Sequence, residues 1–192
     1  MLKLKNLCKL FIVMSFSIFC ALSFCEIFLR IKHNYITHYD IEMWKYAKTL
    51  KIKNKNKDIG HTHKKNASAT LQKVNISINN YGQRDRFINN KILQKYERKF
   101  LILGSSIALG WGIEQNQTFS AILNDLANKN NKNWIFINGG IGNYNTKRYV
   151  NNYLTNWSEL EFTDIIINFF VNDTEILIAV SYTHLRAHET RG

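Results

Sequence analysis

Residues 100–106 read FLILGSS, an unbroken apolar run that stops at Gly104 and opens into two serines. A short run of that kind, closed by a glycine, is what a strand buried on both faces looks like. The pattern recurs twice, as WIFINGG at 134–140 and DIIINFFVND at 164–173. Between the first two runs, Thr118 is placed to cap a helix over 119–128, with Phe119, Ile122, Leu123 and Leu126 on one face. Between the second and third, Asn145 or Thr146 caps a helix in which Tyr149, Val150, Tyr153 and Leu154 recur at helical spacing. Strands and helices alternating in this way predict an α/β fold with a parallel sheet and right-handed crossovers. Ligands of such sheets sit at the carboxyl ends of the strands. Here all three strands end in polar or glycine-rich loops, GSS, NGGIGN and VND.

Those loops suit one kind of chemistry better than another. Ser106 lies just past the first strand, in a turn that can expose its hydroxyl as a nucleophile if a base activates it. Backbone N–H groups of the second loop and the side-chain amide of Asn172 in the third can point at an oxyanion. Phosphate binding is the competing use of glycines. Gly139-Gly140-Ile141-Gly142 lacks the GxGxxG spacing, however, and no GxxxxGK[ST] occurs.

LILGSSIALGWGIEQNQTF (101–119) resembles the first block of the SGNH/GDSL hydrolase family, Gly-Asp-Ser with a glycine four residues on. Gly104, Ser106 and Gly110 match, with Trp111-Gly112 and Thr118-Phe119 in register. FINGGIGNYNT (136–146) is similar to the second block and FFVNDTE (169–175) to the third. INNYGQRDRF (78–87), with Asn79, Gly82, Arg84 and Asp85, is similar to the segment that precedes the first block in membrane-anchored members. The resemblance implies a three-layer α/β/α sandwich with a parallel sheet, flavodoxin-like and incomplete. It implies acyl ester hydrolysis or transfer, with an acylated small molecule or glycan as substrate, deacetylation of a cell-envelope glycan among the options, and no cofactor or metal. Ser106 is the implied nucleophile and contributes its own N–H to the oxyanion hole; Asn172 is the oxyanion side chain. The chain departs from the pattern in places. Ser105 replaces the customary Asp, Phe170 replaces a glycine, and the oxyanion glycine aligns with Asn143 while a glycine stands one place earlier, at Gly142. An Asn tolerates positive φ and still offers its N–H. Nothing in the chain matches the family's Asp-x-x-His block, which carries the general base, so the 192-residue chain as written is expected to lack turnover. His184 and His188 lie in VSYTHLRAHETRG (180–192), which resembles translated sequencing adapter and stands in no Asp-x-x-His frame. A non-catalytic envelope binding or scaffold protein with the same fold is the alternative.

Toward the amino terminus, residues 10–25 read LFIVMSFSIFCALSFC without a charge, and flanking apolar residues extend the run to about the 20 that a bilayer needs. Lys3, Lys5 and Lys9 form a basic flank, which predicts an uncleaved single-pass anchor with a cytoplasmic amino terminus and an extracytoplasmic bacterial domain. Residues 45–66, which include KIKNKNKDIGHTHKK, read as a solvated spacer, with His61 and His63 as polar loop residues. The expected organisation is an anchor (1–30), a polar connector (31–74), the hydrolase-like domain (75–179) and a foreign tail (180–192). Hydrophobic residues make up 45% and charged residues 21%, enough apolar content for a core. The net charge is +12 in a chain rich in Asn, Lys and Ile and without proline. That is the bias of an AT-rich genome, and no aromatic-basic interleaving points to nucleic acid. Cys8, Cys20 and Cys25 all fall in the anchor, which leaves no disulfide framework or thiolate metal site in the domain.

Overall fold

The computed structural model describes residues 2–170 and Asp173, and the chain divides into two compact units, 1–43 and 44–192. In the first, helix α1 (Leu2–Tyr35) carries the apolar run. Its Lys9–His33 stretch has a mean hydropathy of 2.2 and buries none of its surface, and it is long enough to span a membrane. Glu26, the one acid in that stretch, is paired with Arg30 one turn on, at 2.8 Å. Helix α2 (Tyr39–Leu50) follows and runs into the second unit.

The second unit holds the parallel sheet: β5 (Arg98–Gly104) in the middle, β6 (Trp134–Asn138) on one side and β7 (Asp164–Asn168) on the other. β5 alternates its side chains between two cores. Phe100 and Ile102 join Phe136, Ala127 and Leu123 on one face; Leu101 and Leu103 join Ile135, Ile137, Tyr149 and Trp157 on the other. Helices α5 (Phe119–Lys129) and α6 (Thr146–Asn156) therefore cover opposite faces. The order β6-β5-β7 means that the chain reverses direction across the sheet at β5. Such a reversal opens a crevice at the carboxyl ends of the strands.

The expected caps form: the Thr118 hydroxyl accepts the Ala121 N–H, and the Asn145 side chain accepts the Arg148 N–H. The helix faces differ from expectation. α5 turns Ser120, Leu123, Asn124 and Ala127 inward and leaves Phe119, Ile122 and Leu126 exposed. The cause is Asn124, whose amide accepts the Phe136 N–H at 2.8 Å and donates to the Phe136 carbonyl at 2.8 Å. β6 is an edge strand, and this side chain satisfies its free backbone groups as a neighbouring strand would. The helix is thereby fixed on its polar-to-small face. On α6, Leu154 is exposed and Asn152 takes the inward position.

The stretch 45–66 is not a free spacer. Tyr46, Leu50, Ile59 and His63 are buried, and β1 (Lys51–Lys53) pairs antiparallel with β2 (His61–His63). The side chains of Asn54 and Asn56 accept the N–H groups of Asn56 and Asp58 and shape the turn between the strands. A second hairpin, β3 (Ser68–Leu71) with β4 (Val74–Ser77), turns through Gln72 and Lys73, both at positive φ. The compact unit thus starts at Trp44 and not near residue 75.

Candidate functional site

Gly104 ends β5 where a Cβ would lie 2.8 Å from the Cβ of Ala108 and 2.9 Å from the Asn168 carbonyl, so only glycine fits. The chain then turns through buried Ser105 into the single-turn helix α4 (Ser106–Leu109), with Ser106 half-exposed at its first position. The turn closes through Leu109 N–H to the Ser105 carbonyl at 3.0 Å and Gly110 N–H to the Ser106 carbonyl at 3.1 Å. Gly110 leaves the helix in the left-handed region, at φ +79°. The guanidinium of Arg84, itself fully buried, donates to the carbonyls of Leu109 (3.1 Å), Gly110 and Ile113 (2.7 Å) and to Gln115 Oε1 (3.2 Å). One planar cation therefore holds the whole segment that follows Ser106.

The second loop lies directly against this turn. A Cβ on Gly140 would overlap the Leu109 backbone nitrogen and come 2.5 Å from the Ala108 carbonyl carbon. Ile141 N–H donates to the Gly104 carbonyl at 3.1 Å. Asn138, wholly buried at the end of β6, accepts the Gly140 N–H at 2.9 Å, and its own N–H donates to Asp85 Oδ2 at 3.1 Å. Burial pushes the Asp85 carboxyl up to about 6, against the lowering effect of the Asn138 and Arg86 N–H bonds. Asn143 stands exposed at φ +65°, the conformation its alignment with a glycine requires. Gly142 is excluded as an oxyanion donor, because its N–H points inward and donates to Tyr46 Oη at 3.0 Å. Asn172, His184 and His188 lie outside the described residues.

Tyr46 and the two histidines were not predicted to take part. His63 Nδ1–H donates to the Gly82 carbonyl at 2.9 Å, which fixes the tautomer and leaves Nε2 to accept the Tyr46 hydroxyl at 2.6 Å. The chain of bonds runs Gly142 N–H to Tyr46 Oη, Tyr46 O–H to His63 Nε2, and His63 Nδ1–H to Gly82 O, each group satisfied. Burial pulls His63 down to about 4 and raises the Tyr46 phenol, so both are neutral at pH 7. On the outer side of the loop the Gly142 carbonyl accepts Lys51 Nζ at 2.7 Å and His61 Nε2 at 3.1 Å, and the Asn143 carbonyl accepts Arg148 Nη1 at 3.3 Å. Burial, reinforced by Arg148, draws Lys51 down to about 7, and burial with the charge of Lys51 draws His61 down to about 3. Among the described residues no imidazole is hydrogen-bonded to Ser106, and no three of His, Cys, Asp and Glu converge on a metal position.

The structure thus packs Gly140 and Ile141 of the second loop on the turn that carries Ser106, with Asn143 two residues further along the loop, and Arg84, Asp85 and Tyr46 hold these segments. Asn79, Arg84 and Asp85 had a signal in the sequence, the INNYGQRDRF segment; Tyr46, Lys51 and Arg148 had none. No family model, curated protein or solved structure matches the chain.

Proposed function

We propose that this is a membrane-anchored serine ester hydrolase of the SGNH/GDSL type, with the three-layer sandwich of that family. Ser106 is the nucleophile, and its own N–H with those of Asn143 and Asn172 receives the oxyanion. Acyl transfer or hydrolysis on a cell-envelope glycan or an acylated small molecule is the reaction class, and that substrate class rests on the resemblance alone. The single-pass topology, with the domain outside the cytoplasm, rests on the basic flank of α1. The observation that carries the reading is the placement of Ser106 at the carboxyl end of the central strand, in the crevice of the chain reversal. The 139–143 loop is pressed on that turn, with Asn143 at positive φ. Of the components of this reading, the general base and the Asn172 donor are not supplied by the described residues.

The test is fluorophosphonate labelling, in detergent micelles, of the chain extended past residue 179 with an Asp-x-x-His block, because a serine without a base stays unreactive. Ser106→Ala is expected to abolish labelling and Ser105→Ala to leave most of it. Labelling that follows Ser105 would refute the register. A full absence of labelling would favour the second reading, a tethered binding or scaffold module. That reading draws on Ser105 in the place of Asp and on the lack of an imidazole at Ser106 among the described residues.

A further inference from the structure

Three basic side chains from separate elements meet on the outer side of the 139–143 loop. Lys51 from β1 and His61 from β2 share the Gly142 carbonyl, at 2.7 and 3.1 Å. Arg148, in the first turn of α6, reaches the next carbonyl, that of Asn143, at 3.3 Å. Its guanidinium also lies over Gly60, where a Cβ would come 3.2 Å from Nη2. The Lys51 ammonium rests 4.4 Å above the Tyr46 ring. All three side chains are half-buried and so remain open to solvent on one side.

Among the described residues no carboxylate answers them. Among the described residues, Lys51 and Arg148 take part in no ion pair, and the nearby acid Asp58 is held by Lys147 at 2.7 Å. Two cations crowded together without a counter-charge oppose folding unless something relieves them. The repulsion shows in Lys51, which burial and Arg148 together draw down to about 7; Arg148 is lowered by burial, with Tyr144 acting the other way. A carbonyl satisfies one N–H of each group but none of the net charge. The remaining Lys51 and Arg148 donors, beside the exposed backbone of Asn143, form a cradle of positive charge.

The geometry points to an oxyanion-binding subsite made by Lys51 and Arg148, beside the neutral His61 ring, which takes a phosphate or carboxylate group. Read with the proposed function, on which this placement rests, the subsite holds an anionic group of the substrate beside the acyl centre.

The test uses the full chain in detergent micelles, titrated with inorganic phosphate and separately with acetate. Ionic strength is held constant with sodium chloride, and thermal unfolding is followed by tryptophan fluorescence. Phosphate or acetate is expected to raise the melting temperature, saturably, beyond chloride alone. Whichever is bound more tightly tells a phosphate from a carboxylate ligand. Lys51→Gln and Arg148→Gln should each weaken the response at least tenfold. Lys147→Gln, whose lysine is already paired with Asp58, should leave it unchanged. Because each loss removes a repulsion, both variants should melt no lower than the wild type when no anion is present, which separates lost binding from lost folding. The proposal is overturned if neither anion stabilises the wild type beyond chloride, if either variant responds as the wild type does, or if the variants melt lower without anion. The readout requires no turnover, so its failure leaves the Ser106 reading standing, and failed fluorophosphonate labelling leaves the subsite standing.

Discussion

Replacing Tyr46 by Phe removes one oxygen and leaves the ring in place, still against Trp111 at 5.2 Å and under Lys51. That oxygen accepts from Gly142 N–H and donates to His63 Nε2, and both partners are buried. The ring cannot shift to close the gap, because the Gly142 α-carbon is already tight against it: a Cβ there would lie 2.7 Å from Tyr46 Cε1. Two orphaned polar groups at about 1–3 kcal/mol each put the loss at roughly 2–6 kcal/mol. Urea unfolding of the full chain in detergent micelles, followed by the fluorescence of Trp111 and buried Trp157, measures it. The same assay between pH 7 and 5 tests the protonation state. His63 is held near 4 when folded and returns to about 6.5 when unfolded, so the unfolded chain binds the extra proton and stability falls as the pH drops below about 6.5. At pH 5 that loss is about 2 kcal/mol for His63. His61, held near 3, acts in the same direction. Asp85, raised to about 6, acts in the opposite one, since the folded state gains a proton as the pH falls through 6. His63→Gln keeps an acceptor and a donor but cannot titrate, so it should remove the His63 share of the acid loss. A Tyr46→Phe loss below about 1 kcal/mol, or an unchanged pH dependence in His63→Gln, would refute the relay.

Arg84→Met should destabilise the domain by at least about 3 kcal/mol, since two buried carbonyls and a half-buried one lose a charged donor, and fluorophosphonate labelling of Ser106 should fall with it even where the chain stays folded. Gly140→Ala should cost about 3 kcal/mol or more by urea unfolding, because its methyl group meets the backbone of α4; Gly112→Ala, strained only by φ +79°, should cost about 1 kcal/mol. A chain beginning at Trp44 should unfold cooperatively, whereas one beginning at residue 75 should not, as it lacks Tyr46, Leu50, Ile59 and His63. The full chain should pellet with membranes and resist extraction by high salt, and the chain from Trp44 should not; recovery of the full chain in the soluble fraction would refute the anchor.

What was legible in the sequence was local. The first two apolar runs, the Gly104 stop and the Thr118 cap depend on neighbours a few residues away and formed as read, and of Asn145 and Thr146 it is Asn145 that caps; the third run forms a shorter strand, Asp164–Asn168, with Ile165 and Ile167 exposed. The α5 face was misread because apolar spacing says nothing of Asn124, whose partner on β6 lies 12 residues on in an edge strand. Tyr46 and His63 were invisible for a stronger reason. Tyr46 shares a face of α2 with Leu50, four residues on, and His63 sits in a three-residue strand, but neither pattern names a partner, and Tyr46 finds Gly142 across 96 residues. Lys51 and Arg148 read as two more surface cations in a chain of net charge +12 until their shared loop is seen.

The three supports of the site share an origin. Arg84 holds the segment after Ser106, Asp85 holds Asn138 at the base of the second loop, and Tyr46 holds Gly142 at its tip. All three come from residues 46–85, upstream of the first sheet strand. Loops at the open end of a sheet have water on one side and little packing beneath them, so their geometry is lost unless another element fixes it. Here the upstream segment does so through polar bonds to backbone groups, which set direction as well as contact. The consequence for Asn143 is specific. With the Gly142 N–H held inward by Tyr46 and the Gly142 carbonyl held outward by Lys51 and His61, the peptide planes on the two sides of Gly142 are each fixed. The Asn143 N–H lies in the second of these planes, so its direction is set by residues 81 and 91 positions away.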